Sequence, residues 1–302
     1  MKPFLLRRFA QRRIWSRIFR ERLTEPLHLN FLSLFVWVFG SYRAKVDYDL
    51  VVRQNNAYGI LKAADFAVRQ GIRTVSLIEF GVAAGTGLLN MAQIAGKVTR
   101  ATGVSFKLYG FDSGRGMPPA RDYRDHPDLY QKGDYVMNQD ALKKVLPANV
   151  QLIIGEVTDT VSDFISRLPS DEPVGYVVFD LDYYFSMRDA LKILRDANPQ
   201  KYLPITLVFL DDIALDPHNH YCGELLAVNE FNAENPLRKI EHHAFLENSR
   251  IFRRAIWVKQ MFFLHVLDHP SRCQITVRDN KRALFNPYLD FEGNRDNYIY
   301  KK

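Results

Sequence analysis

At 302 residues the chain is long enough for one large α/β domain with extensions, which excludes a miniprotein held together by disulfides. With 47% hydrophobic and 25% charged residues it excludes disorder and collagen-like repetition, and its two cysteines, Cys222 and Cys273, exclude a CxxC zinc site or a disulfide framework. The net charge of +7 gathers at the N-terminus, where Lys2, Arg7, Arg8, Arg12, Arg13, Arg17, Arg20 and Arg22 face only Glu21 and Glu25, so no nucleic-acid partner is expected for the nearly neutral remainder.

Within that basic segment Leu5, Phe9, Trp15, Ile18, Phe19 and Leu23 recur near helical spacing. This predicts a cationic amphipathic helix that either lies on anionic lipid or packs on its own domain; an organellar transit peptide is a further reading of an Arg-rich, acid-poor start. The apolar run 31–38 is far shorter than the roughly 20 residues of a membrane span and comes too late for a signal-peptide core. The expected location is the cytoplasm, with peripheral contact on the inner membrane face through residues 1–38 as an open option.

From Ala57, the residues Ile60, Leu61, Ala64 and Val68 predict a helix stopped by Gly71. A β-rich run, Thr74–Phe80, follows at once, then the turn Gly81-Val-Ala-Ala-Gly85-Thr-Gly87 and an amphipathic stretch over 88–98. Strands over 106–111, 150–154, 174–179 and 205–210 alternate with helices over 161–168 and 187–194. A helix over 224–232 and two strand-like runs, 239–245 and 257–267, end the pattern. The expected fold is α/β: a Rossmann-like, doubly wound, mostly parallel sheet with an antiparallel edge hairpin. Residues 1–48 read as an N-terminal helical extension, 49–268 as the domain and 269–302 as a loop-rich tail.

The glycine turn decides the ligand class. GxGxxG is absent, and no Lys follows to make a phosphate-binding loop, which disfavours NAD and ATP. The spacing Glu79-x-Gly81-x-x-x-Gly85-x-Gly87 instead resembles the first motif of class I S-adenosylmethionine (SAM)-dependent methyltransferases. That resemblance implies that Glu79 and the turn at Gly81, Ala83, Gly85 and Gly87 hold the methionine part of SAM. Asp112, in Tyr109-Gly-Phe-Asp112-Ser113, ends the next strand, where a carboxylate in nucleoside-binding α/β folds accepts ribose hydroxyls.

Two acidic clusters end later strands, Asp180-Leu-Asp182 and Asp211-Asp212. Parallel strands deliver both to one edge, where oxygen ligands alone suit Mg²⁺ or a similar hard ion. The stretches 110–118, 155–161, 179–191, 209–213 and 224–231 resemble the macrocin/mycinamicin sugar O-methyltransferase family over roughly residues 50–265. The resemblance implies an O-methyltransferase that uses Mg²⁺ and acts on a glycan, glycolipid or glycosylated small molecule. It also implies SAM contacts at Ser113 and Glu156, and a metal held by Asp211, Asp212 and either Asp180 or Asp182. With Asp180 as ligand, Asp182 is the first candidate base, followed by His218 and His220. Arg115 departs from the family, where an acidic residue is usual, and this touches the substrate. The polar, aromatic loop 117–136 reads either as a cover for the substrate or as a surface excursion. A metal-independent methyltransferase and a non-catalytic SAM-binding protein are the alternative readings, and oligomeric state is open.

Overall fold

The computed structural model describes residues 19–214 and 217–273. The basic stretch 1–18 and the tail beyond 273 lie outside the described residues, so the expectations placed there stand as sequence readings.

A seven-stranded sheet organises the chain: β1 (Thr74–Phe80), β2 (Ser105–Asp112), β3 (Val150–Ile154), β4 (Val174–Phe179), β5 (Tyr202–Leu210), β6 (Arg238–His242) and β7 (Met261–Val266), in the order β3-β2-β1-β4-β5-β7-β6. Strands β1 to β5 pair in parallel, and β7 runs antiparallel to both of its neighbours, β5 and β6. The expected antiparallel hairpin is present, with its second strand placed inside its first.

The helices, in chain order, are α1 (Leu27–Phe39), α2 (Tyr42–Asp47), α3 (Gln54–Arg69), α4 (Thr86–Thr102), α5 (Gln139–Lys143), α6 (Val157–Arg167), α7 (Tyr184–Ala190), α8 (Gly223–Glu234), α9 (Leu246–Ser249) and α10 (Pro270–Cys273). Strand β1 shows why the sheet is covered on both faces. Val75 and Leu77 pack into a core with Ile60, Ala64, Leu88 and Met91, while Ile78 and Phe80 pack into a second core with Val161, Met187, Val228 and Phe231. Alternate side chains of one strand thus feed two apolar layers, which is why the central strands are apolar almost throughout.

Three segments differ from the sequence reading. The run 257–267 becomes a 3-10 turn, Ile256–Gln260, before β7 begins, and the run 239–245 pairs only as far as His242. The helix expected to run over 187–194 starts earlier, at Tyr184, and tightens into a 3-10 turn over Leu191–Leu194. Short helices α2 and α5 occupy stretches with no legible period.

Close packing makes one prediction. Gly59 lies inside α3, and a Cβ there would come 2.6 Å from the ring of Tyr176, itself fully buried in β4. Alanine normally improves a helix interior, but here overpacking wins. Gly59→Ala should destabilise the protein by about 1–3 kcal/mol, read as a lower urea midpoint.

Candidate active site

The register of the parallel strands builds the site. Phe80 of β1 is level with Phe111 of β2 and Phe179 of β4, and Phe179 is level with Leu210 of β5. The next residue of each strand or turn therefore emerges in one row: Gly81, Asp112, Asp180 and Asp211. The rings beneath them stack, Phe80 on Phe179 at 5.2 Å and Phe80 on Phe111 at 4.7 Å, giving the row a rigid aromatic floor. The strand order reverses between β1 and β4, and the crevice at such a reversal is where open α/β sheets bind ligands. A cavity of about 1430 Å³ opens there.

Asp112 ties the first two loops together. The Ala83 N–H donates to its Oδ2 at 2.8 Å and the Gly114 N–H to its Oδ1 at 2.6 Å, so the carboxylate is fixed with lone pairs remaining on both oxygens. Reaching it costs Ala83 a left-handed backbone, φ 45°, between two glycines that share that region. Gly81 is obligatory for a second reason: a Cβ there would lie 1.9 Å from the Asp180 carbonyl oxygen, so β1 and β4 can meet only across a bare backbone.

Glu79 sits beneath this turn, fully buried, with Gly87 leaving room for its carboxyl; a Cβ at Gly87 would lie 1.8 Å from Glu79 Oε1. Burial, then the nearby Asp180 carboxylate, pushes Glu79 up to about 8, with Arg53 opposing. Arg53 caps the start of α3 in a left-handed conformation, φ 55°, and donates to Thr86 Oγ1 at 3.2 Å. It lines the cavity, and no sequence signal marks it, because its value comes from a strained backbone position that carries no motif.

At the far side of the row the carboxylates converge. Asp180, Asp211 and Asp212 each bring an oxygen within 4.8 Å of the others. Asp182 is not part of that trio; it is buried and lies close to Asp212 and to the hydroxyl of Tyr130. Of the two candidates on β4, Asp180 is therefore the one grouped with the β5 pair. Below them Glu224, fully buried in the first turn of α8, accepts from the Asp212 N–H at 3.3 Å. Burial and mutual repulsion raise Asp180, Asp212 and Glu224 far above the ordinary carboxylate range. Glu224 went unassigned in the sequence because an acid in a first helical turn reads as a dipole partner; only its burial under the cluster marks it.

These residues fit the two groups the resemblance implies. Asp212 Oδ2 and Glu79 Oε2 are buried without a protein partner, so the first suits a cation and the second a cationic or donor group. Ser113 shapes the next loop, accepting from the Arg115 N–H and donating to the Gly116 carbonyl. Arg115 pairs with Glu156 across the mouth, so the basic departure is matched by the carboxylate expected to touch SAM. Gly81, Ala83, Asp112, Ser113, Glu156, Asp180, Asp182, Asp211 and Asp212 all line the cavity, whereas Glu79, Gly85 and Gly87 shape the turn from behind.

The loop 117–136 bends over the opening. Its neck is closed by Met117 N–H to Asp134 O (2.8 Å) and Gly133 N–H to Met117 O (2.9 Å), and buried Asp125 clamps its middle by accepting from the Arg121 and Phe185 N–H groups. Tyr130, Lys132 and Tyr135 line the cavity from this loop, which therefore covers the site. His126 of the loop stacks on His218 at 4.7 Å, and burial followed by His126 lowers the His218 imidazole. Neither ring lines the cavity. His220 is exposed, with its ring against Asn229 of α8, and is likewise outside the lining.

No family model matches the chain, and no curated protein matches it. Among solved structures it is similar to the calicheamicin methyltransferase CalS11, with 24% identity over 57% of this chain and 70% of that one, at a TM-score of 0.43. It is also similar to CmcI with Mg and SAM, with 14% identity over 67% and 70% of the two chains at 0.35. A third is MycE, a methyltransferase of the mycinamycin biosynthetic pathway, in complex with Mg, SAH and mycinamycin VI, with 12% identity over 69% of this chain and 56% of MycE at 0.36. All three likenesses are distant.

Proposed function

We propose that this protein is a metal-assisted, SAM-dependent O-methyltransferase acting on a hydroxyl of a sugar or glycosylated acceptor. The observation that carries the reading is the row Gly81, Asp112, Asp180, Asp211 at one sheet edge, with a glycine turn and a ribose-type acid at one end and a three-carboxylate cluster at the other. Asp112 is oriented to accept hydroxyls, and buried Glu79 with its orphaned oxygen suits the amino group of a methionine moiety. Asp180, Asp211 and Asp212 would hold the divalent cation.

When bound, SAM supplies an electrophilic methyl on a sulfonium and the cation polarises the acceptor hydroxyl. The chain's own part is alignment and proton management. Asp182 is the base this reading assigns: buried at the cluster's edge, it can receive the hydroxyl proton while Tyr130, held protonated by burial and by Asp182, donates to it. His218 stands beside Asp182 as a neutral imidazole stacked on His126, suited to pass that proton outward. Tyr130 and Tyr135 offer rings to an acceptor sugar and, with the rest of the loop, exclude water.

Calorimetric titration with SAM, run with Mg²⁺ and again with EDTA, tests the reading. Binding is expected in both, and methylation of sugar acceptors only with Mg²⁺. Absence of SAM binding to folded protein under both conditions would overturn it.

A further inference from the structure

Helix α1 has its polarity reversed. Its sequence, LHLNFLSLFVWVF, contains no Asp, Glu, Lys or Arg. The side turned to the protein carries Asn30, Ser33 and Val36, with Ser33 buried and Asn30 donating to the Arg22 carbonyl at 3.0 Å. The outward sides carry Phe31, Leu34, Phe35, Trp37 and Phe39, and these large side chains are 61–76% exposed. A surface helix normally does the opposite, and a helix apolar on its outer faces requires an apolar surrounding.

The helix is held firmly at its base. Glu25 accepts from the Arg253 and Arg254 N–H groups at 2.8 and 3.1 Å, and the Arg22 guanidinium lies 3.8 Å over the Phe252 ring. Thirteen residues rise ~20 Å, too short to cross a bilayer. No helix among the described residues is long and apolar enough to do so. Basic residues surround the base: Arg20, Arg253 and Arg254 are exposed there, and Arg7, Arg8, Arg12, Arg13 and Arg17 precede it in sequence.

We infer that α1 docks this protein on an anionic phospholipid surface, its aromatic faces sunk among the acyl chains and the arginines on the headgroups. Charge selects lipid over a second copy. Pairing two copies through α1 about a two-fold axis would bring like arginine clusters together, whereas anionic headgroups neutralise them. The cavity's rim includes Arg20, Glu21, Arg254 and Ile256, so a docked protein opens its site beside the lipid surface. The docking does not depend on the methyl-transfer reading.

The test is flotation of the full chain with vesicles of phosphatidylcholine alone and of phosphatidylcholine with phosphatidylglycerol. Binding is expected with the anionic vesicles and should weaken at high salt. The double variant Phe35→Glu, Trp37→Glu should lose at least about tenfold in vesicle partition with an unchanged melting temperature, since both side chains are exposed. Arg253→Glu, away from the cavity lining, should weaken binding to anionic vesicles selectively. Full-length protein that stays unbound with both vesicle types would overturn the inference. So would a concentration-dependent dimer, seen by sedimentation velocity and abolished by Phe35→Glu, in protein that does not bind vesicles.

Discussion

Replacing Asp112 by alanine should weaken SAM binding about 100-fold or more in calorimetry, with only a modest fall in melting temperature. One carboxylate accepts from Ala83 of the glycine turn and from Gly114 of the following loop, so its removal frees two backbone donors and unpins both walls of the cofactor end. Hydrogen bonds to a charged acceptor contribute roughly 1.5–3 kcal/mol each, and about 2.7 kcal/mol is a hundredfold in affinity. Asp112→Asn separates the two effects. It keeps one acceptor oxygen and the size of the side chain, so it should retain most of the stability while still losing affinity. Unchanged affinity in both variants would remove Asp112 from the cofactor site.

Asp211→Asn should do the reverse: SAM affinity stays within about twofold while turnover with Mg²⁺ falls by at least about 100-fold. Without metal this variant should be more stable than the parent, because one of three carboxylates crowded within 4.8 Å no longer repels the others. Melting in EDTA should therefore rise, and the increase in melting temperature that Mg²⁺ gives the parent should vanish. Equal loss of SAM affinity in Asp112→Ala and Asp211→Asn would contradict the division of the site into a cofactor end and a metal end.

Much of this arrangement is legible in the sequence for a physical reason. Parallel strands covered on both faces are mostly apolar, so the ends of β2, β4 and β5 stand out as short apolar runs, and an acid directly after such a run sits at the sheet's carboxyl edge. That argument places Asp112, Asp180 and Asp211 without any structure. It cannot separate Asp180 from Asp182, since both leave the same strand; the grouping depends on the level at which β5 delivers Asp211 and Asp212. Arg53 and Glu224 are illegible because their significance lies in surroundings built by distant segments, the acid row for one and complete burial for the other. The same limit applies to α1. An apolar run announces a helix to be covered, but only its mounting on Glu25 and Arg22 shows which faces remain bare.

The place of β7 has a consequence for synthesis. It is the last strand of the sheet to leave the ribosome, yet it lies between β5 and β6 and supplies hydrogen-bond partners to both. Until residue 266 has emerged, the nascent chain carries β5 with an open edge whose Leu207, Val208 and Phe209 belong in the two cores, an invitation to stray pairing with another unfinished chain. A premature stop between Glu234 and Met261 is thus expected to yield insoluble protein rather than a shortened working enzyme, although every residue assigned to the cofactor and metal ends would already have been translated.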